Sequence, residues 1–372
     1  MSVLRKQSWL LVACSLALGA AACSSGEKGA TTGPGKVTLS DPANTKAQLQ
    51  AVAAPFTTPA FESFTKLTAY FIPPTAPPAL TALIRATLPR VPTGDVQPHA
   101  RSALHARALA NALLANPIAA SIFPPTALGT TYVWDPTAYG YVASSLTGAP
   151  SNGIRFIIYT LSGYFPAVPL APIGYVDLTD RSTLSATILG ITVVATTGAA
   201  SVTYADYTIG GSFSTTSGSL ALAGYVSDGT TRVDFSTAYG YTATTFSYEA
   251  TIDIASAGVH IAYSDASTQD SPTTITSDGT FTITIGAETL EWTGHYTVLL
   301  ESPYTITGTG AVTLNGQLLI SWEFGPSGTT VTGGQQLTPA EADVITQVSL
   351  AAADLLVNLD ELIYPAFFFL VI

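Results

Sequence analysis

The chain has 372 residues, of which 47% are hydrophobic and only 10% are charged. This composition supplies enough apolar material for a sizeable core and too little charge for a disordered chain. The formal net charge is −11, and the only basic residues after position 108 are Arg155, Arg181 and Arg232. Because binding to phosphates requires Lys and Arg, this distribution argues against nucleic acid or another polyanion as a partner.

A secretory signal peptide is predicted over residues 1–22. Arg5 and Lys6 form its basic start, and an apolar run extends from Trp9 to Ala22. A basic start followed by a run of this length is typical of export signals, and the run is too short for a comfortable transmembrane helix. The sequence therefore predicts that the chain is exported.

The residue after the signal peptide, Cys23, is predicted to carry a lipid. The sequence A-A-A-C at positions 20–23 resembles the lipobox of bacterial lipoproteins, whose Cys is acylated and becomes the mature N-terminus. The family usually has Leu in place of Ala20. The sequence L-V-A-C at positions 11–14 fits the motif better, but it would leave an apolar core of about five residues, below the roughly 7–15 required. A plain signal peptide without lipidation is the alternative.

The lipobox resemblance also implies a location. Ser24 stands where lipoproteins kept in the inner membrane often have Asp, so the resemblance implies the outer membrane of a bacterium. If Cys14 leaves with the signal peptide and Cys23 is acylated, the folded body has no thiol for a disulfide, a nucleophile or a metal site. Residues 23–40, rich in Gly, Ser and Thr, are predicted to be a flexible tether.

Residues 41–122 are predicted to form short amphipathic helices interrupted by prolines. Thr58, followed by a proline, is a suitable N-cap, and Phe61, Phe64 and Leu67 follow it at helical spacing. A further Ala-rich helix is predicted over 98–115. None is long enough to be stable alone, so each is expected to pack on the sheet described next.

Residues 123–333 are predicted to form an antiparallel up-and-down meander of about a dozen strands. Apolar and Thr side chains alternate, as in Phe281, Ile283 and Ile285, which gives each strand one apolar and one hydroxyl-rich face. Four dipeptides are suited to two-residue hairpin turns, namely Asn152-Gly153, Asp228-Gly229, Asp278-Gly279 and Asn315-Gly316. The predicted class is therefore mainly β with flanking α, either a curved sheet or a half-open barrel.

Residues 334–372 are predicted to contain one helix and an apolar tail. The sequence T-P-A-E at 338–341 combines an N-cap, a first-turn Pro and a capping-box Glu. An apolar stripe follows, made of Val344, Val348, Ala351, Leu355, Leu359, Leu362 and Ile363. The tail over 367–372 is expected to be buried, and residues 41–372 are predicted to form one folded unit.

The motifs give no convincing catalytic site, so the chain is not predicted to be an enzyme and no cofactor is expected. Ser63 and Lys66 fit the S-x-x-K motif of serine β-lactamases and penicillin-binding proteins, but no K-T-G motif follows. The four histidines, considered as metal ligands, are predicted to be structural or exposed. They are His99, His105, His260 and His295.

The acidic residues are interpreted mainly as solubilising groups. Asp265 and Asp270 fall in a predicted polar loop whose spacing matches no calcium motif. Glu249 and Asp253 share a Thr-rich strand face, and a solvated carboxylate there is a poor general acid. Glu288 and Glu291 are the other candidate pair for acid–base chemistry, and they too are interpreted as solubilising groups.

The predicted architecture resembles the LolA/LolB-type lipoprotein carriers, which combine a lipid anchor, a curved antiparallel sheet and covering helices. No motif supports this likeness. It implies a non-catalytic, lipid-anchored envelope protein that binds an apolar ligand or a lipid on the concave face of the sheet. The alternative is a structural or adhesive envelope module. An outer-membrane β-barrel is less favoured, because its lipid-facing side would be too rich in Thr.

Overall fold

A computed structural model describes residues 39–41, 44–45, 47–48, 54–70, 122–335, 337, 341–348, 359 and 362, with gaps at 184–185, 198–199, 215 and 300–304. The predicted signal peptide with its lipidation site Cys23, the helix over 98–115 and the tail over 367–372 lie outside these residues, as do His99 and His105.

One large sheet dominates the described residues. The strands are β1 (Thr131–Asp135), β2 (Gly140–Ser144), β3 (Gly153–Tyr159), β4 (Leu161–Ser162), β5 (Phe165–Pro166), β6 (Pro172–Asp180), β7 (Thr187–Thr197), β8 (Ala200–Phe213), β9 (Ser217–Ser227), β10 (Arg232–Thr242), β11 (Thr245–Ile254), β12 (Val259–Ser271), β13 (Thr274–Ile285), β14 (Glu288–Leu299), β15 (Thr305–Leu314), β16 (Gln317–Gly325) and β17 (Gly328–Gly334).

Fifteen of these strands form the sheet, and β4 and β5 form a separate hairpin. The order is β17-β16-β15-β14-β13-β12-β11-β10-β9-β8-β7-β6-β3-β1-β2, so from β6 to β17 each strand lies beside its neighbours in the chain. The order is open, with β17 and β2 as its edges. The predicted mainly-β class and large meander are confirmed, with three more strands than the approximate prediction.

The first strands depart from the predicted antiparallel order. β1 pairs antiparallel with β2, but it pairs parallel with β3 through Thr131 opposite Arg155 and Tyr132 opposite Phe156. The hairpin brings the chain back to the end of β1 at which it started. β3 can therefore begin there, on the other side of β1, and run parallel to it without a crossover helix.

Only two of the four predicted turn dipeptides connect paired strands. Asn315 and Gly316 have positive φ values of 51° and 76° between β15 and β16. Asp228 and Gly229 lie between β9 and β10, whereas Asn152 precedes β3 in a connection between strands that do not pair.

The fourth turn prediction, Asp278-Gly279, is wrong. Both residues lie inside β13, opposite His295 and Gly294 of β14. The hairpin between β12 and β13 turns instead at residues 272–273. Polar side chains on both faces of this part of β12 and β13 hid the strand alternation, so a strand pair looked like a loop.

The described residues fall into two compact units that divide within β10. In the unit that contains β1–β9, the helix α1 (Pro59–Tyr70) packs on β3, β6, β7 and β8. Thr58 caps α1 by accepting a hydrogen bond from the backbone N–H of Phe61 at 3.2 Å. Phe64 is fully buried and lies edge-on to the ring of Tyr207, at 6.3 Å between centroids. The predicted helical spacing of Phe61, Phe64 and Leu67 is confirmed, and all three side chains are buried.

The unit that contains β11–β17 includes a second helix, α2, over 341–348. Val344 and Val348 of the predicted stripe are 5% and 0% exposed, so that part of the stripe is confirmed. Ile345, which the stripe did not include, is buried as well. Ala351, Leu355 and Ile363 lie outside the described residues.

Candidate functional site

The candidate site is one face of β11–β16, defined by the cross-strand register of these strands. One row across them contains Tyr248, Asp265, Gly279, Gly294, Gly310 and Trp322. The rows on either side contain Ala250, Tyr263, Phe281, Trp292, Val312 and Ile320, and Phe246, Ser267, Ser277, Tyr296, Gly308 and Phe324. Alternation along the strands places all three rows on the same side, here called the aromatic face.

Three adjacent glycines let aromatic rings lie close to the backbone of this face. A Cβ atom on Gly310 would overlap the indole of Trp322, and one on Gly294 would overlap the ring and hydroxyl of Tyr296. A Cβ on Gly279 would meet no heavy atom closer than 3.8 Å. The Tyr296 and Trp322 rings therefore pack directly on the backbone of the glycine row. Space for a methyl group remains above Gly279.

Asp265 is the buried carboxylate of the aromatic face, at 5% exposure. It accepts a short hydrogen bond from the hydroxyl of Ser277, which in turn accepts one from Ser267 at 3.1 Å. The hydroxyl of Tyr263 donates to the other carboxylate oxygen at 3.5 Å. Burial, assisted by the nearby Asp265 charge, holds the pKa of Tyr263 well above its usual value, so this hydroxyl remains a donor.

The prediction that Asp265 lies in a polar loop with Asp270 is wrong. Both residues belong to β12, where Asp265 faces inward and Asp270 is exposed, accepting a hydrogen bond from the Thr276 hydroxyl at 2.8 Å. In the described part of the chain, no three His, Cys, Asp or Glu side chains are grouped so that they could hold a metal ion.

Two indole N–H groups are buried in this face without an acceptor among the described residues. They belong to Trp292 and Trp322, which are 8% and 5% exposed. Leaving a buried donor unpaired costs roughly 1–3 kcal/mol. A bound molecule that displaces the side chains covering either indole, and presents a carbonyl, ether or hydroxyl oxygen to its N–H, would recover that free energy.

The aromatic face is only partly covered. Phe281, Tyr296 and Phe324 are half-buried, whereas Phe156 and Ile158, on the face that α1 covers in the other unit, are both 0% exposed. Each unit thus has an apolar face, and that of β11–β16 retains accessible aromatic surface.

The opposite face of β11–β16 is hydroxyl-rich, as predicted, and most of its side chains are exposed or half-buried. One row across it consists of threonines, namely Thr245, Thr268, Thr276, Thr297 and Thr307. Glu249 and Asp253 lie exposed on this side. Glu288 and Glu291, three apart in β14, lie on opposite faces, and Glu288 accepts a hydrogen bond from the backbone of Ser40 at 2.7 Å.

The two described histidines each pair with a carboxylate on that exposed face. His260 lies 2.6 Å from Asp253, and His295 lies 2.7 Å from Asp278, measured from Nδ1 to Oδ1. Both histidines lie in strands and both side chains are exposed, which is one of the two alternatives predicted for them. They are on different strands, β12 and β14, and each pair is a separate cross-strand contact.

The S-x-x-K residues lie in α1. Ser63 is buried at 4% exposure, and Lys66 places its ammonium 5.3 Å from the ring centre of Tyr164.

A separate open recess of about 300 Å³ lies at the β8–β9 turn, lined by Ser212, Ser214, Ser217, Gly218 and Ser219. Its lining is hydroxyl-rich, unlike the apolar cavity expected of a lipid carrier.

Comparisons with protein families, curated proteins and solved structures found no match to this chain. Within the described residues, no helix has the length and apolar character needed to cross a membrane.

Trp292, Trp322 and the glycine row were not predicted to be site residues. Gly279, Gly294 and Gly310 are visible in the sequence, but their adjacency depends on the register of four strands. The available signal was glycine recurring on the apolar face of successive strands, where glycine weakens a strand unless something packs on it.

Proposed function

We propose that the chain is a lipid-anchored protein of the bacterial cell envelope, without catalytic activity, that binds an apolar ligand or a lipid on the aromatic face. Cys23 is the proposed anchor and the outer membrane the proposed location. The observation that carries the proposal is the half-buried aromatic surface above the row formed by Gly279, Gly294 and Gly310.

The chemistry of the aromatic face favours an amphipathic ligand. The rings of Phe281 and Trp292, 5.3 Å apart, offer apolar contact area to a hydrocarbon chain. The unpaired indole N–H groups favour a ligand that also carries an oxygen acceptor. An acyl chain with an ester or carboxyl group has both features.

Fluorescence quenching tests this proposal at individual sites. The chain has four tryptophans, of which Trp9 lies in the predicted signal peptide. Three variants of the Cys23→Ala protein would each keep one of Trp134, Trp292 and Trp322, with Phe at the other two positions and at position 9, because Cys23→Ala can leave the signal peptide attached. Brominated fatty acid should quench Trp292 and Trp322 and spare Trp134, the control in the other unit.

Equal quenching of all three tryptophans, or none, would count against ligand binding on this face. Mass spectrometry of the purified Cys23→Ala protein should also find bound lipid. The anchor is tested separately: the wild-type chain should stay with the membrane fraction, and globomycin or Cys23→Ala should change its processing. If neither globomycin nor Cys23→Ala changes the processing of the chain or its membrane association, Cys23 is not a lipid anchor.

A structural or adhesive module is the second candidate, because two observations favour it. The apolar face beneath α1 is filled by protein, with Phe64 and Leu67 at 0% and 1% exposure. The threonine row on β11–β15, whose members are exposed or half-buried, is a regular hydroxyl surface suited to weak protein or glycan contacts. A protein that contains no lipid and shows no quenching by acyl chains would favour this candidate.

A further inference from the structure

The edge strand β17 has no strand on its outer side among the described residues. Among the described strands it pairs only with β16. Residues 328–332 are all exposed, and Val331, the largest apolar side chain in the strand, is 38% exposed. Alternate backbone N–H and C=O groups of an edge strand point away from its partner and are available to another strand.

β17 also lacks the side chains that usually keep edges apart. Natural edge strands carry Lys, inward charges or Pro, or they twist away at a bulge. The sequence G-T-T-V-T-G-G over Gly328–Gly334 has no charge and no proline. The shift of register opposite Ser321 and Trp322 makes Thr332 the extra residue, so Gly328–Val331 remains regular.

We propose that β17 pairs antiparallel with β17 of a second copy of this chain, around a two-fold axis at Thr330. Thr330 then lies opposite its own copy, and Thr329 lies opposite Val331 in both directions. Each of these residues is β-branched, and Thr–Thr and other β-branched cross-strand pairs stabilise antiparallel sheets. This pairing uses only the regular part of β17, so the shift at Thr332 does not interrupt it.

The self-pairing register is what favours a second copy over another partner. Two-fold pairing is self-complementary and closes after two chains, which is the commonest symmetry of soluble oligomers. A two-fold axis perpendicular to the sheet keeps each face on its own side. Both aromatic faces would therefore lie on the same side of the joined sheet. This inference does not rest on ligand binding or on lipidation.

Disulfide trapping tests the pairing directly. In a Cys14→Ala/Cys23→Ala chain no other thiol remains, so Thr330→Cys introduces the only one. Mild oxidation should convert most of the protein to a covalent dimer. Thr307→Cys is the matched control, because it is exposed on the same face of β15, and its copy would be about 24 Å away across five strand spacings of ~4.8 Å.

A charge variant tests the same edge without a cross-link. Thr330 lies opposite Glu323, so Thr330→Glu would bring four carboxylates together at the two-fold axis. The dissociation constant of the dimer, measured by sedimentation equilibrium, should rise at least about tenfold. Thr307→Glu should leave it unchanged, and urea unfolding of both variants checks that each monomer is folded.

Three results would overturn the proposal. The first is a wild-type chain that stays monomeric at all concentrations. The second is a dimer that Thr330→Glu does not weaken although the variant is folded. The third is open-ended cross-linked polymers of a Thr330→Cys/Val142→Cys chain, because Val142 lies in the other edge strand, β2, and β17 would then pair with that edge.

Discussion

The hydroxyl of Tyr207 donates a hydrogen bond to the backbone carbonyl of Leu362 at 3.0 Å, joining residues 155 positions apart in the chain. Tyr207 is 1% exposed and Leu362 is 0% exposed. The ring of Tyr207 also contacts Phe64 of α1. Tyr207, in β8, therefore contacts both α1, which precedes the sheet in the chain, and Leu362, which follows it.

Tyr207→Phe should destabilise the protein by about 1–3 kcal/mol, because the buried Leu362 carbonyl loses its donor while the aromatic packing is kept. Urea unfolding should show a lower midpoint with an unchanged slope. Tyr139→Phe is the control: Tyr139 is 72% exposed, and its removal should leave the midpoint unchanged. Equal midpoints for wild type and Tyr207→Phe would contradict this role.

Stability should fall with rising pH above about pH 10. Burial raises the pKa of Tyr207 and of Tyr263 well above the ordinary value of 10.0. Between that value and the folded-state pKa, the unfolded chain loses these protons and the folded chain keeps them. The unfolded state then binds fewer protons, so the free energy of unfolding decreases by about 1.36 kcal/mol per pH unit for each tyrosine.

Urea unfolding between pH 9 and pH 11.5 would measure this decrease. Tyr132, Tyr159 and Tyr241 also have raised pKa values and should add to the slope. Tyr207→Phe should reduce this slope by the contribution of one proton, about 1.36 kcal/mol per pH unit. A free energy of unfolding that stays constant through this range would contradict the raised pKa values of these buried tyrosines.

Gly310→Ala should disturb the aromatic face. The added methyl would overlap the indole of Trp322, and forcing such a displacement typically costs about 1–3 kcal/mol. Gly279→Ala is a matched control in the same row, since its Cβ would be 3.8 Å from its nearest neighbours. The emission of Trp322 should shift in Gly310→Ala only. Similar unfolding midpoints for the two variants would contradict the close packing of the Trp322 indole on Gly310.

Arg155→Lys should cost about 1–2 kcal/mol. Arg155 binds both carboxylate oxygens of Asp177, at 2.7 and 2.8 Å, and lies 3.6 Å from the ring centre of Tyr175. A lysine can reproduce neither the paired hydrogen bonds nor the planar stacking.

Arg232 offers the matched comparison, because it binds Asp234 and lies 3.7 Å from the Tyr225 ring in the same way. The Arg232 side chain is 55% exposed, whereas that of Arg155 is 17% exposed. Solvent weakens exposed ion pairs, so Arg232→Lys should change the free energy of unfolding by less than ~0.5 kcal/mol. Thermal or urea unfolding of the two variants would decide whether burial is the cause.

The meander and the covering helix could be predicted from the sequence because both depend on local patterns. Alternation identified most strands, and the spacing of Phe61, Phe64 and Leu67 identified the buried side of α1. The pattern failed where both faces are polar. Asp265 and Ser277 are buried polar residues that bond to each other, and such a pair looks like a loop when each residue is judged alone.

The candidate site could not be predicted because it depends on register. Whether Gly279, Gly294 and Gly310 lie side by side is set by turn lengths and bulges between strands, and a shift of one residue would move each to the other face. The parallel pairing of β1 with β3 was missed for a related reason. The connection from β2 to β3, which produces this pairing, contains no repeating apolar pattern from which its path could be predicted.

The neighbour-to-neighbour order of β6–β17 has an evolutionary consequence. Because no connection in this part of the sheet skips a strand, duplication or deletion of one hairpin would lengthen or shorten the protein by two strands without rerouting the rest. Gain or loss of an odd number would reverse the direction of every later strand. Inherited changes in size should therefore come in pairs of strands.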